Sequence, residues 1–400
     1  MISVTVAKNI IQHNVEPMLF RRILLKQAAG LVTTEDIHAP VDIPPFFQSS
    51  MDGYAFLFSA WQKEEKLEVN GMVAAGDQRK QVLEPGKAIR IFTGAALPAG
   101  ADTVVMQEKT KLEDGKLIIE DELLKQGSNV RSEGAEIRQG QLALPKGTIL
   151  TPAAIGFLAS LGITALAVHP RPTVNIIVTG DELQEPGTRL LHGQVYESNS
   201  LTLKAALQQI GIHDVTVLKA KDDLLLLTKV LKEALGQSDM VLLTGGISVG
   251  DYDHVLQATV NNGVQKLFHK IKQRPAKPLY FGKKDDKYVF GLPGNPASGL
   301  MAFYEYVIPA LGIMNNTGYQ LQVVTAALLH PFKKAAGLTH FLKGYYDGKT
   351  ADVLDAQESF RLSSFARANC LVRIDENVTE CRKGEMVEIH LLPGNHIFHG

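Results

Sequence analysis

Apolar positions set the first expectation. Leu19, Ile23, Leu24 and Ala28 fall at helical spacing, and Gly30 offers a stop, so the pattern predicts a helix over about 5–30. Between 40 and 140 the pattern changes. Short β-prone runs at 67–69, 88–92, 103–106 and 116–119 alternate with Gly, Pro and Asp turns, which predicts a small β-rich domain. Thr151 as cap and Pro152 at the first position then begin a helix over 151–163. From 172 to 315 the order is strand, loop, helix, repeated: strands at 173–178, 214–218, 240–243 and 287–290, helices at 201–210, 223–235 and 297–311. Such alternation predicts a mainly parallel sheet with helices on both faces. Strands return at 322–326, 371–374 and 386–391, as in a small β-barrel or sandwich.

Composition narrows the class. A chain of 400 residues exceeds one ordinary core, so two to four domains are expected. Hydrophobic residues make up 45% and charged residues 21%, which is ordinary for a soluble globular chain. The 41 basic and 42 acidic side chains nearly cancel, against a general nucleic-acid binder. Two cysteines, Cys370 and Cys381, are too few for a disulfide framework or a cysteine zinc cluster. The start carries no basic stretch followed by an apolar core, and the run 153–168, broken by two glycines, is short of a membrane span. A cytoplasmic protein with no membrane partner is expected.

The chemistry is expected beyond the carboxyl ends of the parallel strands. Three loops leave the sheet there: Thr179-Gly180-Asp181-Glu182-Leu183, Thr244-Gly245-Gly246-Ile247-Ser248-Val249-Gly250-Asp251-Tyr252-Asp253, and Gly291-Leu292-Pro293-Gly294-Asn295-Pro296. Glycines let backbone approach a ligand, and N–H groups at helix starts hold oxyanions. Carboxylates beside them suit a divalent cation. Each loop alone also reads as a plain turn or cap; their convergence on one edge points to a metal-assisted site for a phosphorylated ligand. A basic segment follows: His269, Lys270, Lys272, Arg274 and Lys277, interrupted by Pro275 and Pro278. A charge run is by default a solvated face, but prolines make this one an ordered loop with cations that suit an oxyanion. In the β-rich region Met51-Asp52-Gly53-Tyr54-Ala55 and Thr93-Gly94 read first as tight turns, and Arg131, Glu133 and Glu136 as surface.

Six segments carry a resemblance: Ser50-Met-Asp-Gly-Tyr-Ala55, Arg90-Ile-Phe-Thr-Gly94, Val104-Val-Met-Gln-Glu108, Thr179-Gly-Asp-Glu-Leu183, Thr244-Gly-Gly-Ile-Ser-Val-Gly250 and Gly291-Leu-Pro-Gly-Asn-Pro296. In this order they resemble the signature segments of the molybdopterin molybdenumtransferases, the family of MoeA and the gephyrin E domain, over roughly residues 20–395. The resemblance implies a multidomain α/β plus β fold in four parts. A central doubly wound α/β, molybdopterin-binding domain spans 172–318, a discontinuous helical linker domain 1–45 and 140–171, a β-rich inserted domain 46–139 and a C-terminal β domain 319–400. It implies a homodimer whose site is shared between subunits, with other proteins of molybdenum-cofactor biosynthesis among its partners. The implied reaction converts adenylylated molybdopterin and molybdate to molybdenum cofactor, with release of AMP and help from Mg²⁺.

Carried over by position, the resemblance implies catalytic roles for Asp52, Thr93, Glu182, Asp222, Asp253 and Lys270, with Glu182, Asp222 and Asp253 on the metal. It implies ligand-binding roles for Gly245, Gly246, Ser248, Gly250, Arg131, Arg274, Lys277, Pro293, Gly294, Asn295, Pro296 and Ser363. Five positions depart from the family pattern. Glu136 stands for a usual Asp, Ala135 for Glu, Arg274 for Lys, Ala276 for Gly and Lys343 for Arg. Ala276 places a side chain where close backbone approach is expected. The departures leave a tungsten-selective insertase open. A non-catalytic molybdopterin-binding scaffold is the alternative from another class; four carboxylates kept in motif context argue against it. The preceding adenylylation step is disfavoured because the domains flanking the α/β region are present.

Overall fold

The computed structural model describes residues 1–246 and 254–394. They form two compact units, Met1–Arg21 with His169–Gly400, and Arg22–Val168.

The first unit is built on a six-stranded sheet. Its strands are β1 (Val174–Thr179), β2 (Val215–Ala220), β3 (Met240–Thr244), β4 (Gln265–Lys270), β5 (Pro278–Lys284) and β6 (Lys287–Leu292). Their order is β2-β1-β3-β6-β5-β4. The first four run parallel, and β5 and β4 continue the edge antiparallel. All six residues of β1 and all five of β3 are buried, as in a strand covered on both faces. Their side chains alternate between two cores. Val174, Ile176, Val178, Met240 and Leu242 pack with helices α1 (Val4–Asn14), α2 (Asn199–Gln209) and α5 (Pro296–Met314). Ile177, Val241 and Leu243 pack with α3 (Leu224–Gln237) and α4 (His254–Asn261). The expected doubly wound domain is therefore present, and Asp223 caps α3 by accepting from Leu226 N–H at 2.9 Å.

α5 runs 19 residues with a π segment at Phe303–Val307. By length and composition it could cross a membrane, but 89% of its apolar window is buried, so it is a core helix. After it, strands Gln322–Leu328, Thr350–Val353, Thr339–Tyr346, Cys370–Ile374 and Met386–Leu391 pair in that order, and the last pairs back to the first. Ring closure makes this a barrel rather than a sandwich. Gln273–Arg274, in the basic segment, adds to it in parallel beside Thr339 and His340. Cys370 and Cys381 are buried thiols, and burial pushes the Cys370 thiol up to about 12.

The second unit holds a six-stranded sheet in the order Thr103–Met106, Gly53–Phe56, Lys87–Ile91, Lys66–Val73, Lys116–Ile119, Thr110–Glu113. Two of these strands, Gly53–Phe56 and Thr110–Glu113, were not legible as β runs. Its helix Pro152–Ser160 begins as expected, with Thr151 Oγ1 accepting from Ala154 N–H at 3.2 Å.

The helix expected over 5–30 is corrected. α1 ends at Asn14, Val15 is extended, and Pro17 follows. Arg21–Leu24 is a strand beside Ala165–His169. Leu19 is 88% exposed and Phe20 65% exposed, so the apolar spacing there found no core to face. Edge pairing decided this stretch, not periodicity.

Candidate functional site

A cleft of about 680 Å³ opens at the carboxyl ends of the parallel strands. All three expected loops reach it, as does the segment after β2. Its walls include Thr179, Gly180 and Glu182 after β1, Asp222 after β2, Gly245 and Gly246 after β3, and Gly294, Asn295 and Pro296 after β6. The loops touch. A Cβ on Gly245 would stand 2.3 Å from Thr179 O, and one on Gly294 would stand 3.4 Å from Gly245 Cα. Gly245 also holds a φ of +89°. Any side chain at 245 would have to displace backbone of the neighbouring loop, so the second glycine loop lies directly on the first.

The amino end of α2 forms another wall, through Glu197, Ser198 and Asn199. Asn199 Nδ2 donates to Thr244 Oγ1 and to Gly294 O, both at 2.8 Å. Glu197 Oε1 accepts from Ser200 N–H at 2.8 Å, which satisfies one free donor of the helix start. α5 begins at the same cleft with Pro296 in its first turn. Glycine-loop amides and two helix starts give the cleft the character of an anion site. Thr179 is 3% exposed, and its Oγ1 has no hydrogen-bond partner among the described residues. A buried hydroxyl at a cleft wall with nothing to bond is a group a ligand could satisfy.

Glu182 and Asp222 are exposed carboxylates on this cleft. Asp222 Oδ1 lies 3.3 Å from His254 Nδ1. No group of three His, Cys, Asp or Glu side chains able to hold a metal occurs among the described residues. The expected third ligand, Asp253, lies outside them, as do Ser248 and Gly250 of the same loop.

The basic residues do not line the cleft. Lys270 ends β4, its backbone paired with Pro278. Lys277 is exposed. Arg274 lines a second groove of about 760 Å³ with Asp355, Glu358 and Arg367. Pro293 is buried behind the cleft loop. Ser363 is exposed beside Ser364, which is buried and donates to Ala356 O at 2.8 Å. Lys343 belongs to this same scaffold. Its buried Nζ donates to Ala356 O at 2.7 Å and Arg361 O at 2.9 Å. Burial lowers its pKa, opposed in part by the nearby Glu358 charge. One link joins this segment to the cleft: Asn295 Nδ2 donates to Ser359 Oγ at 2.9 Å.

The second unit gathers its own cluster. Asp52 Oδ1 accepts from Thr93 N–H at 2.7 Å and from Thr93 Oγ1 at 2.8 Å. The backbone bond, then the hydroxyl bond, and more weakly the Arg90 charge hold the Asp52 carboxyl below its usual range. Arg131 reaches Gln48 Oε1 at 3.4 Å, and Gln48 Nε2 donates to Gly94 O at 3.0 Å. The Asp-Gly pair is no turn here. Gly53 opens a strand, where a Cβ would stand 1.8 Å from Val105 O. Glu133, Ala135 and Glu136 are all exposed.

Sequence reasoning gave no role to Asn199, Thr244, Glu197 and Gln48, although Thr244 was named as the start of its loop. A usable signal existed for the first three. Glu197-Ser198-Asn199 is a polar, cap-forming run directly before a helix, and Thr244 is the last strand residue before Gly-Gly. Gln48 had none, because its role depends on pairing with Arg131 across 83 residues.

Comparison with known proteins agrees along the whole chain. Residues 2–162 match the family described as MoeA N-terminal region (domain I and II). Residues 175–312 match the probable molybdopterin binding domain, and 325–392 match the MoeA C-terminal region (domain IV). A molybdopterin molybdenumtransferase of Haemophilus influenzae is 33% identical over 380 residues, 93% of each chain. One of Staphylococcus epidermidis is 33% identical over 398 residues, 97% of this chain and 94% of that one. Among solved structures, a molybdopterin biosynthesis MoeA protein from Pyrococcus horikoshii superposes with a TM-score of 0.75 at 30% identity, covering 98% of this chain and 100% of that one.

Proposed function

This chain belongs to the molybdopterin molybdenumtransferase family, and from that premise we propose that it inserts molybdenum from molybdate into adenylylated molybdopterin with release of AMP. The convergence of three loops on one cleft, with Gly245 packed on Thr179 O and Gly294 packed on Gly245, is the observation that carries this reading.

The cleft suits the phosphate end of the substrate. Backbone N–H groups of the Gly245-Gly246 loop and the starts of α2 and α5 favour negative charge there. The bond that breaks is the phosphoanhydride. Water or a molybdate oxygen attacks the phosphorus on the molybdopterin side and forms the new P–O bond there, and AMP leaves with the bridging oxygen. Catalysis of such a step depends on position and neutralised charge more than on covalent chemistry. Glu182 and Asp222 are hard oxygen donors of the kind Mg²⁺ accepts, and they would hold it on the cleft. The ion would supply charge neutralisation at the phosphoanhydride. Lys270, Arg274 and Lys277 are assigned to the molybdate oxyanion, and Ser363 to the same region. Asp52, held ionised by Thr93, is assigned a catalytic role, and Arg131 supports that segment through Gln48. We further propose that the chain works as a cytoplasmic homodimer.

The test is a single-turnover assay on the full chain with adenylylated molybdopterin, Mg²⁺ and molybdate. AMP release and active cofactor should rise together and only when molybdate is present. Ligand binding with neither product, with tungstate as well as molybdate, would overturn the reading in favour of a binder.

A further inference from the structure

The loop between β4, which ends at Lys270, and β5 carries Arg274 and Lys277, yet it is not a glycine turn. Ile271, Gln273 and Ala276 are buried while Arg274 and Lys277 face solvent. Ala276 holds a φ of +57°. In that left-handed region a Cβ is crowded, and glycine is the residue that enters freely. An alanine stays there only if its surroundings hold it.

The side chain that holds it is Gln273. Its Nε2 donates to Ala276 O at 2.9 Å, and its Oε1 accepts from Tyr306 Oη on the π segment of α5. Gln273 and Tyr306 are both 0% exposed, so water cannot replace either bond. The amide cannot turn over, because its donor end faces the Ala276 carbonyl, which can only accept. Burial raises the Tyr306 phenol well above its ordinary pKa, which keeps it a donor. Backbone bonds fix the rest of the loop: Ile271 N–H to Lys277 O at 3.0 Å, and Thr339 N–H of the barrel to Lys272 O at 3.0 Å. Gln273 thus sits where the sheet domain and the barrel share one segment.

We propose that Gln273, oriented by Tyr306, is a positioning residue for oxyanion binding: by anchoring Ala276 O it holds the loop in the backbone course that presents Arg274 and Lys277. Neither Gln273 nor Tyr306 touches substrate. The proposal rests on the assignment of this loop to molybdate, made above.

A double-mutant comparison on the full chain tests it. Gln273→Met is combined with Tyr306→Phe, so that the phenol does not lose its acceptor and only Ala276 O loses its donor, and the pair is placed in the native and in the Ala276→Gly background. The readout is the molybdate concentration dependence of single-turnover AMP release. With Ala276 present, KM for molybdate should rise about tenfold while the limiting rate changes less than about threefold. With glycine at 276 the backbone needs no anchor, and KM should move less than about threefold. Equal effects in the two backgrounds, or KM and rate falling together, would overturn the proposal. Unfolding of the pair in both backgrounds would do the same, since it would make the role structural only. Arg274→Ala with Lys277→Ala separates this from the underlying reading. If those leave KM unchanged, the oxyanion assignment fails; if they raise it and the Gln273 pair does not, only the positioning role fails.

Discussion

Asn199 reaches Gly294, 95 residues away, through a side-chain N–H donated to the Gly294 carbonyl at 2.8 Å. The other N–H of the same amide donates to Thr244 Oγ1 at 2.8 Å. One amide therefore ties the first turn of α2 to the loops after β3 and β6. Both donors are spent on the protein, and Oδ1 is left to accept. These two bonds join the amino end of α2 to the end of β3 and the loop after β6, two sides of one wall.

Asn199→Asp should loosen that wall, because a carboxylate placed against the Gly294 carbonyl repels it. The variant is expected to lose about 1–2 kcal/mol of stability and to bind adenylylated molybdopterin about tenfold more weakly. Denaturant unfolding and a binding titration check both. Wild-type affinity in a correctly folded Asn199→Asp chain would remove Asn199 from the site.

Asp52→Asn separates charge from geometry. The amide oxygen can still accept from Thr93 N–H and Oγ1, so folding should be unchanged. Cofactor formation should fall at least about a hundredfold, in the range of lost electrostatic stabilisation. Thr93→Val should act in the same direction and raise the Asp52 pKa, since it deletes the second-largest cause that lowers it. Carboxyl NMR on the two variants and single-turnover AMP release would report this.

Glu182→Gln and Asp222→Asn should each raise the Mg²⁺ concentration needed for half-maximal rate by about tenfold or more. Chelation of divalent ions should stop turnover by the native chain, and added Mg²⁺ should restore it. A Mg²⁺ dependence unmoved by both substitutions would take these carboxylates off the metal.

His340 makes stability fall with acid. Burial, aided by the Lys334 and Arg274 charges, depresses its pKa from 6.5 to about 4. A depressed histidine is neutral when folded but takes a proton when unfolded. Stability is therefore intact above pH 6.5, falls as pH drops towards 4, and levels below that. The loss is at most roughly 3 kcal/mol. His340→Gln should flatten this slope in thermal unfolding scanned from pH 7 to 4, and an unchanged slope would mean that other groups carry it.

Glu305 is a second acid-sensitive point. It is 1% exposed, with Lys8 Nζ and His390 Nδ1 each 2.6 Å from its oxygens. Burial would raise its pKa, but the His390 bond and the Lys8 charge outweigh it and bring it below the ordinary value. Glu305→Gln should cost about 3 kcal/mol, the low end for a broken buried pair, because it leaves the part-exposed Lys8 ammonium facing a neutral amide. Equilibrium unfolding measures this directly.

Much of the molecule is legible in the sequence. β1 and β3 are short apolar runs ended by Gly loops, and Thr151-Pro152 and Asp223 announce helices through local bonds alone. Local chemistry also pointed to three loops that meet at one cleft, through Glu182, Gly245 and Asn295, and the family resemblance added Asp222. The family segments added Asp52 and Thr93, which spacing alone reads as turns. These features are local: a cap, a glycine φ or a strand period depends on the few residues beside it.

What the tertiary structure decided is everything set by partners far along the chain. Residues 15–30 had helical spacing, but Leu19, Phe20 and Leu24 found no core while Leu25 and Ala28 packed into one, so the stretch became an edge strand and a single short turn of helix. The C-terminal strands became a barrel because Cys370–Ile374 pairs on both sides, which no single strand can announce. Asn199 reached the cleft wall through Gly294, and Gln273 was fixed by Tyr306, each by a bond whose two ends no local pattern relates. The sequence determined most of the elements and named the loops that meet at the cleft. Tertiary packing chose which polar groups became neighbours, since a buried hydrogen bond needs both partners in place and their spacing in sequence carries no sign of it.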